Sequence, residues 1–224
     1  MKKIKRNGFT LPEILITLTI VATIAALVLP GIIKNAQMKS NMALLQSTVV
    51  NLSDAVQQEM MQKRAKYIND TDIYSNPQAF LTRHFDYIKT GNNIFRQLDE
   101  NGNYVAYSYT SMAGSNIGSS TPTAQVILKN GVFIGIFSQG SIKLFIIDLN
   151  GPEKPNIVGI DYFTLEIADK DDLEKGVRIG DVGAFKEYAE KTTETLKTLC
   201  QDGTSQACYA LAERSGFSPT YMED

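Results

Sequence analysis

One stretch near the N-terminus limits what this chain can fold into. Phe9 to Pro30 reads FTLPEILITLTIVATIAALVLP, 22 residues with a single charge, Glu13. At about 1.5 Å per residue an α-helix of this length measures about 33 Å, enough to cross a hydrocarbon core of roughly 30 Å. A helix packed in a soluble core would show a polar stripe; this one shows only threonines. The flanks orient it. Lys2, Lys3, Lys5 and Arg6 precede the run with no acid among them, and only Lys34 and Lys39 follow closely. Cationic flanks stay in the cytoplasm, so the N-terminus is expected there and the rest of the chain outside. With those four cations set aside, 18 Lys and Arg face 24 Asp and Glu. That acidic remainder is no footprint for nucleic acid.

A secretory signal peptide would have a shorter apolar stretch and an Ala-x-Ala-like cleavage site after it. This run is too long, and no such site follows before residue 40. The small residue at a boundary is Gly8, in front of the run, where a cut would leave the whole apolar segment on the mature chain. Gly8-Phe9-Thr10-Leu11-Pro12-Glu13, then an apolar stretch and Pro30, resembles the N-terminus of type IV pilins and type II secretion pseudopilins. The resemblance implies that a prepilin peptidase cuts between Gly8 and Phe9 and methylates the new amine of Phe9. It also implies that Pro30 kinks the helix near the end of the run. Pro12 departs from the usual pattern, where an aliphatic residue is commoner. Proline is nonetheless tolerated in a first helical turn, whose N–H groups have no intrahelical partner.

Glu13 then acquires a role. A carboxylate within a membrane helix costs on the order of 2.5–3.5 kcal/mol and calls for a partner. Cleavage would create one, the positive amine of Phe9. The family's assembly logic places Glu13 beside that amine on a neighbouring subunit, which favours docking and sets the axial register. The bland alternative is that Glu13 snorkels to the headgroups.

Beyond Pro30 the pattern turns amphipathic. Met38, Met42, Leu45, Val49, Leu52, Val56 and Met60 recur three or four positions apart, one apolar stripe of a helix. With the membrane run this predicts a helix from Phe9 to about Ala65, roughly 85 Å long. A short helical piece is expected around 80–87. From Tyr104 the period is that of strands: 104–109, two runs in 123–137 around Asn130-Gly131, then 142–148 and 161–167. Asn-Gly between such runs is the strongest short-range hairpin signal. Residues 112–123 are small and polar and read as a surface loop, and 184–199 as one further helix. The fold class is therefore α+β and pilin-like: a long N-terminal α-helix, half transmembrane and half amphipathic, packed on an antiparallel β-sheet head. The expected boundaries are 1–8 for the leader, 9–33 for the membrane or filament-core helix, 34–66 for its amphipathic half and 67–224 for an extracytoplasmic head.

Cys200 and Cys208 are the only cysteines, spaced by a segment with Asp-Gly that suits a tight loop. In an extracytoplasmic head they tend to oxidise, and the family often carries a C-terminal disulfide-bounded loop. A structural disulfide worth about 2–3 kcal/mol is expected. Two cysteines with the distant His84 do not make a zinc site. Asp148, Asn150 and Gly151, with Asn156 and Asp161 further on, place oxygen ligands at alternate positions before a glycine, as a calcium loop opens. Pro152 and the lack of an acid at the twelfth place break that pattern. The alternative is a strand ending in a long turn whose Asp, Asn, Gly and Pro serve backbone geometry. Some pseudopilins bind calcium in a loop following their sheet; otherwise no cofactor is expected.

No catalytic constellation stands out, and His84 among aromatics reads as a packed or surface residue rather than a base. Asp171 and Asp172 sit in a charged stretch that reads as a solvated turn. The function expected is a structural subunit of a type IV pilus or type II secretion pseudopilus. Its partners would be the peptidase, other pilin subunits, an inner-membrane assembly platform and the membrane, with no nucleic acid. The rival is a membrane-anchored extracytoplasmic binding protein that enters no filament.

Overall fold

The computed structural model describes residues 10–91, 94, 96–98, 100–118, 121–139, 142–167 and 182–222. Gly8, Phe9, Asp171 and Asp172 lie outside them. The chain forms two compact units, one up to Ser40 and one from Asn41. Helix α1 (Leu11–Lys63) contributes to both and contains Pro30.

In the first unit α1 has no buried residue. Its apolar stretch is long and apolar enough to cross a membrane. The threonines in it do not leave their hydroxyls unsatisfied. Thr17, Thr19 and Thr23 donate to the carbonyls of Ile14, Leu15 and Thr19 at 2.9, 2.8 and 2.7 Å. A hydroxyl that bonds one turn back along its own helix can sit in hydrocarbon at little cost.

In the second unit the predicted stripe is the buried face. Met42, Leu45, Val49, Leu52, Val56 and Met60 are all buried, and Thr48, Ala55 and Glu59 join them. Helix α1 ends after Lys63, where Arg64 turns left-handed (φ 50°). A 3₁₀ turn (Ile68–Asp70), α2 (Asp72–Ser75) and α3 (Pro77–His84) follow. Asn76 starts α3 by accepting from Ala79 N at 3.3 Å, with proline at the first position. The helix around 80–87 is therefore real but begins earlier, because the Asn-Pro cap sets its start.

Glu59 fixes α3 against α1. Its side chain is fully enclosed, and it accepts from Arg83 and His84 at 2.8 Å each and from the Asp72 amide at 3.2 Å. Because a carboxylate only accepts, His84 Nε2 carries the hydrogen here. Asp72 in turn pairs with Arg83 at 2.7 Å and Lys63 at 2.9 Å. Burial alone would raise the Glu59 carboxyl, but the His84, Asp72 and Arg83 donors together hold it below its usual range.

The head sheet is antiparallel, in the order β1-β4-β5-β6-β7-β8. Its strands are β1 (Tyr87–Thr90), β4 (Ala124–Leu128), β5 (Phe133–Gln139), β6 (Ile142–Asp148), β7 (Tyr162–Ile167) and β8 (Val182–Gly183). β2 (Arg96–Leu98) and β3 (Tyr104–Ala106) form a separate hairpin. The Asn130-Gly131 turn joins β4 to β5 as its sequence predicts, with Gly131 at φ 89°. β1 is an edge strand, and its pairing with β4 carries a bulge at Ile88 between Tyr87 and Lys89. Phe80, Phe133, Phe145 and Phe163 fill the core.

Three expectations change. The strand over 104–109 stops at Ala106, because Tyr109 is drawn into the core and donates its hydroxyl to Asp148. The helix over 184–199 is two, α4 (Lys186–Ala189) and α5 (Thr193–Gln201), divided where Thr192 caps the second by accepting from Thr195 N at 3.3 Å. The segment between the cysteines is not all loop: α6 (Ser205–Arg214) begins inside it. The disulfide Cys200–Cys208 joins α5 to α6, and both residues are completely buried. Replacing both with serine should lower stability to urea by about 2–3 kcal/mol, since the unfolded chain regains the entropy of an open loop. Reductant added to the folded protein should leave the bond intact, which thiol alkylation and mass measurement would check.

Candidate functional site

The first sequence-predicted site is the start of α1. Thr10 stands just before the helix, and Glu13, three residues on, reaches back to it. The Thr10 amide and hydroxyl both donate to Glu13 Oε2, at 2.7 and 2.8 Å. Thr-x-x-Glu is the spacing of a capping box, which satisfies amides that a helix start leaves bare. The pattern is legible in Thr10-Leu11-Pro12-Glu13, and the sequence reading passed it by. Pro12 removes an amide that would have needed a partner there. Glu13 thus lies in the first turn with its carboxylate folded onto its own cap, at the exposed head of an apolar helix.

The second site is the β6–β7 connection. Asp148 ends β6 and Asp161 precedes β7, so antiparallel pairing brings the two ends of the connection together. Leu149 N donates to the Asp161 carbonyl at 2.8 Å. Both aspartates are completely buried. Asp148 accepts from the Tyr109 hydroxyl and from Asn150 N at 3.2 Å. Asp161 accepts from Asn156 N at 2.8 Å, from Ile157 N at 2.7 Å, and from the Asn150 side-chain amide. Asn156 takes a left-handed backbone (φ 54°), which asparagine tolerates better than most residues. Three of the predicted residues, Asp148, Asn150 and Asp161, are therefore brought together, with Asn156 and Tyr109 beside them.

Burial pushes the Asp148 carboxyl up to about 8, with the Asp161 charge adding to it and the Tyr109 hydrogen bond opposing it. Burial also pushes Asp161 up to about 6, against the lowering effect of the Ile157 and Asn156 amides. Calcium prefers six to eight oxygen ligands and no nitrogen or sulfur. The buried amide oxygens of Asn150 and Asn156 accept no hydrogen bond, so two neutral oxygens are available beside the two carboxylates. Among the described residues no three acidic, histidine or cysteine side chains cluster, so any such site has only two anionic ligands.

The turn is tied to the rest of the head. Asn41 of α1 donates to the Ile160 carbonyl at 3.0 Å. Thr110 N donates to the Asn156 carbonyl at 3.0 Å, and Val158 N to the Thr110 carbonyl at 2.9 Å. The Tyr221 hydroxyl donates to the Gly159 carbonyl.

No curated protein and no solved structure matches the chain. Residues 3–29 match the family described as the prokaryotic N-terminal methylation motif. That segment takes in Lys3, Lys5 and Arg6, Gly8-Phe9, Glu13 and most of the apolar run. A long N-terminal apolar helix and a six-stranded antiparallel sheet make an α+β, pilin-like arrangement. The chain carries the N-terminal methylation motif that is the hallmark of type IV pilins and pseudopilins.

Proposed function

We propose that the chain is the precursor of a filament subunit, of a type IV pilus or a type II secretion pseudopilus. A prepilin peptidase removes residues 1–8 and methylates the amine of Phe9. The chain stays in the inner membrane through α1, N-terminus inward and head outward, until it docks with other subunits on an assembly platform. The observation that carries the reading is the methylation motif over residues 3–29, running directly into a helix whose apolar stretch is not buried by its own chain. Helix-on-helix packing drives assembly, and the pairing of Glu13 with a neighbour's amine sets the register. In that step the carboxylate exchanges its own cap at Thr10 for a charged partner.

Mass measurement of the N-terminal peptide from native membranes should give a chain beginning at N-methyl-Phe9. A chain beginning at Met1, in cells whose peptidase is active, overturns the reading and favours a membrane-anchored binding protein. Glu13→Ala should insert normally and lower filament incorporation tenfold or more, the effect of losing about 1.4 kcal/mol or more at each docking step. Equal incorporation of the variant would leave the helix a plain anchor.

A further inference from the structure

We propose that an open cleft on the head, between the exposed face of α1 and the tip of the β4–β5 hairpin, takes an arginine side chain presented by a partner protein. The cleft holds about 430 Å³. Helix α1 lines it with Asn51, Asp54 and Gln58, and the α3–β1 junction with His84 and Asp86. The site lies wholly in the second unit, and it stands whether or not the chain enters a filament.

Two independent observations point to that ligand. The first is charge. Asn51, Asp54 and Gln58 recur three and four positions apart and are all exposed, so they share one face of the helix. Asp54 forms no ion pair among the described residues. The cation at the cleft, Lys129, is already held by Asp86 at 2.9 Å. One carboxylate is thus left without a counter-charge, flanked by two side-chain amides.

The second observation is His84. Its side chain is only 3% exposed, and its Nε2–H is given to Glu59 at 2.8 Å. A neutral imidazole then keeps Nδ1 as an acceptor, and no described residue donates to it. Arg83 also meets the Glu59 charge, so a second ring proton is not needed to balance it. An acceptor held nearly out of water calls for a donor.

A carboxylate, a ring nitrogen and amide oxygens spread over one cleft ask for several donors at once. Guanidinium offers five N–H groups in a plane and a weakly hydrated charge, whereas ammonium is compact and strongly hydrated. Leu128, also at the cleft, gives the methylene stem an apolar wall.

The chain has a single histidine. Nitrogen NMR of the full chain in detergent, isotope-labelled at histidine alone, therefore reads this ring directly. The free protein should show a neutral ring protonated at Nε2. N-acetyl-arginine amide should shift the Nδ1 signal saturably, with a dissociation constant on the order of 1 mM. Its neutral isostere, N-acetyl-citrulline amide, should leave the signal in place, and N-acetyl-lysine amide should bind more weakly than the arginine probe. Asp54→Asn, at an exposed position, should fold normally and weaken the arginine probe about tenfold. A ring protonated on both nitrogens, or no saturable shift with the arginine probe, overturns the proposal. So does citrulline or lysine binding as tight as arginine, and so does binding that Asp54→Asn leaves unchanged.

Discussion

Glu59→Ala should destabilise the head by about 3–5 kcal/mol, the range for removing one partner of a buried charge network. The loss does not fall evenly. Arg83 is about two-fifths exposed and keeps Asp72 at 2.7 Å, so it is compensated. His84, with a side chain only 3% exposed, and the Asp72 amide lose their acceptor. Glu59→Gln should cost less than alanine but more than a surface change, because its NH₂ would face groups that also donate. Glu59→Leu combined with His84→Leu should cost less than the two single changes added together, since it leaves no stranded donor on the imidazole. Urea unfolding of the four proteins closes the cycle, and strict additivity would mean that the two residues do not act as one unit. The acid limb carries the same information. The folded Glu59 carboxyl lies below its ordinary value of 4.5, so its contribution is present above that value and is lost as pH falls through the lower folded one. Wild-type stability should therefore fall below about pH 4.5 by more than that of Glu59→Gln. Parallel acid limbs for the two would remove Glu59 from the account.

Gly159→Ala is the second large effect. Gly159 has φ 85°, and a Cβ there would lie 2.5 Å from Met112 Cε, 2.8 Å from Cys208 Sγ and 2.9 Å from the Tyr221 hydroxyl oxygen. The methionine end can swing away, but the buried disulfide sulfur and a tyrosine bonded to the same residue's carbonyl cannot. Left-handed backbone costs a non-glycine residue roughly 1–2 kcal/mol, and overpacking adds about 1–3 kcal/mol. Gly131→Ala is the control, since Gly131 has a similar φ of 89° with open space around it. It should lose only the backbone part, about 1–2 kcal/mol. Equal losses at the two glycines, read from urea midpoints, would mean that the crowding at Gly159 relaxes freely.

The parts of the fold legible in the sequence are those written as a repeating period. The α1 stripe from Met42 to Met60 is buried position by position, and β6 and the Asn-Gly hairpin stand where alternation and turn chemistry put them. Short elements were not legible, because one residue decides them. Thr192 splits a stretch whose apolar spacing allows a continuous helix, and α6 starts inside what reads as a disulfide loop. Glu59 was missed although it lies seven positions after Leu52, on the buried face; composition makes a lone glutamate there look like the edge of a stripe. At the candidate cation site the alternate oxygens were visible in sequence. Tyr109 was not, because it reaches Asp148 from 39 residues away and sits in a run that alternates like a strand.

β1 bears on life at a membrane surface. Chains confined to two dimensions meet one another at high local concentration, and an open sheet edge is the usual template for aggregation. All four residues of β1 are exposed, and Ile88 is 60% accessible. Yet Ile88 is the extra residue of a bulge, and Lys89 follows it. The bulge breaks the regular ladder that an incoming strand would need, and the lysine adds charge where two like edges would meet. The bulge and the lysine thus disfavour runaway β-pairing between copies of the chain at this edge.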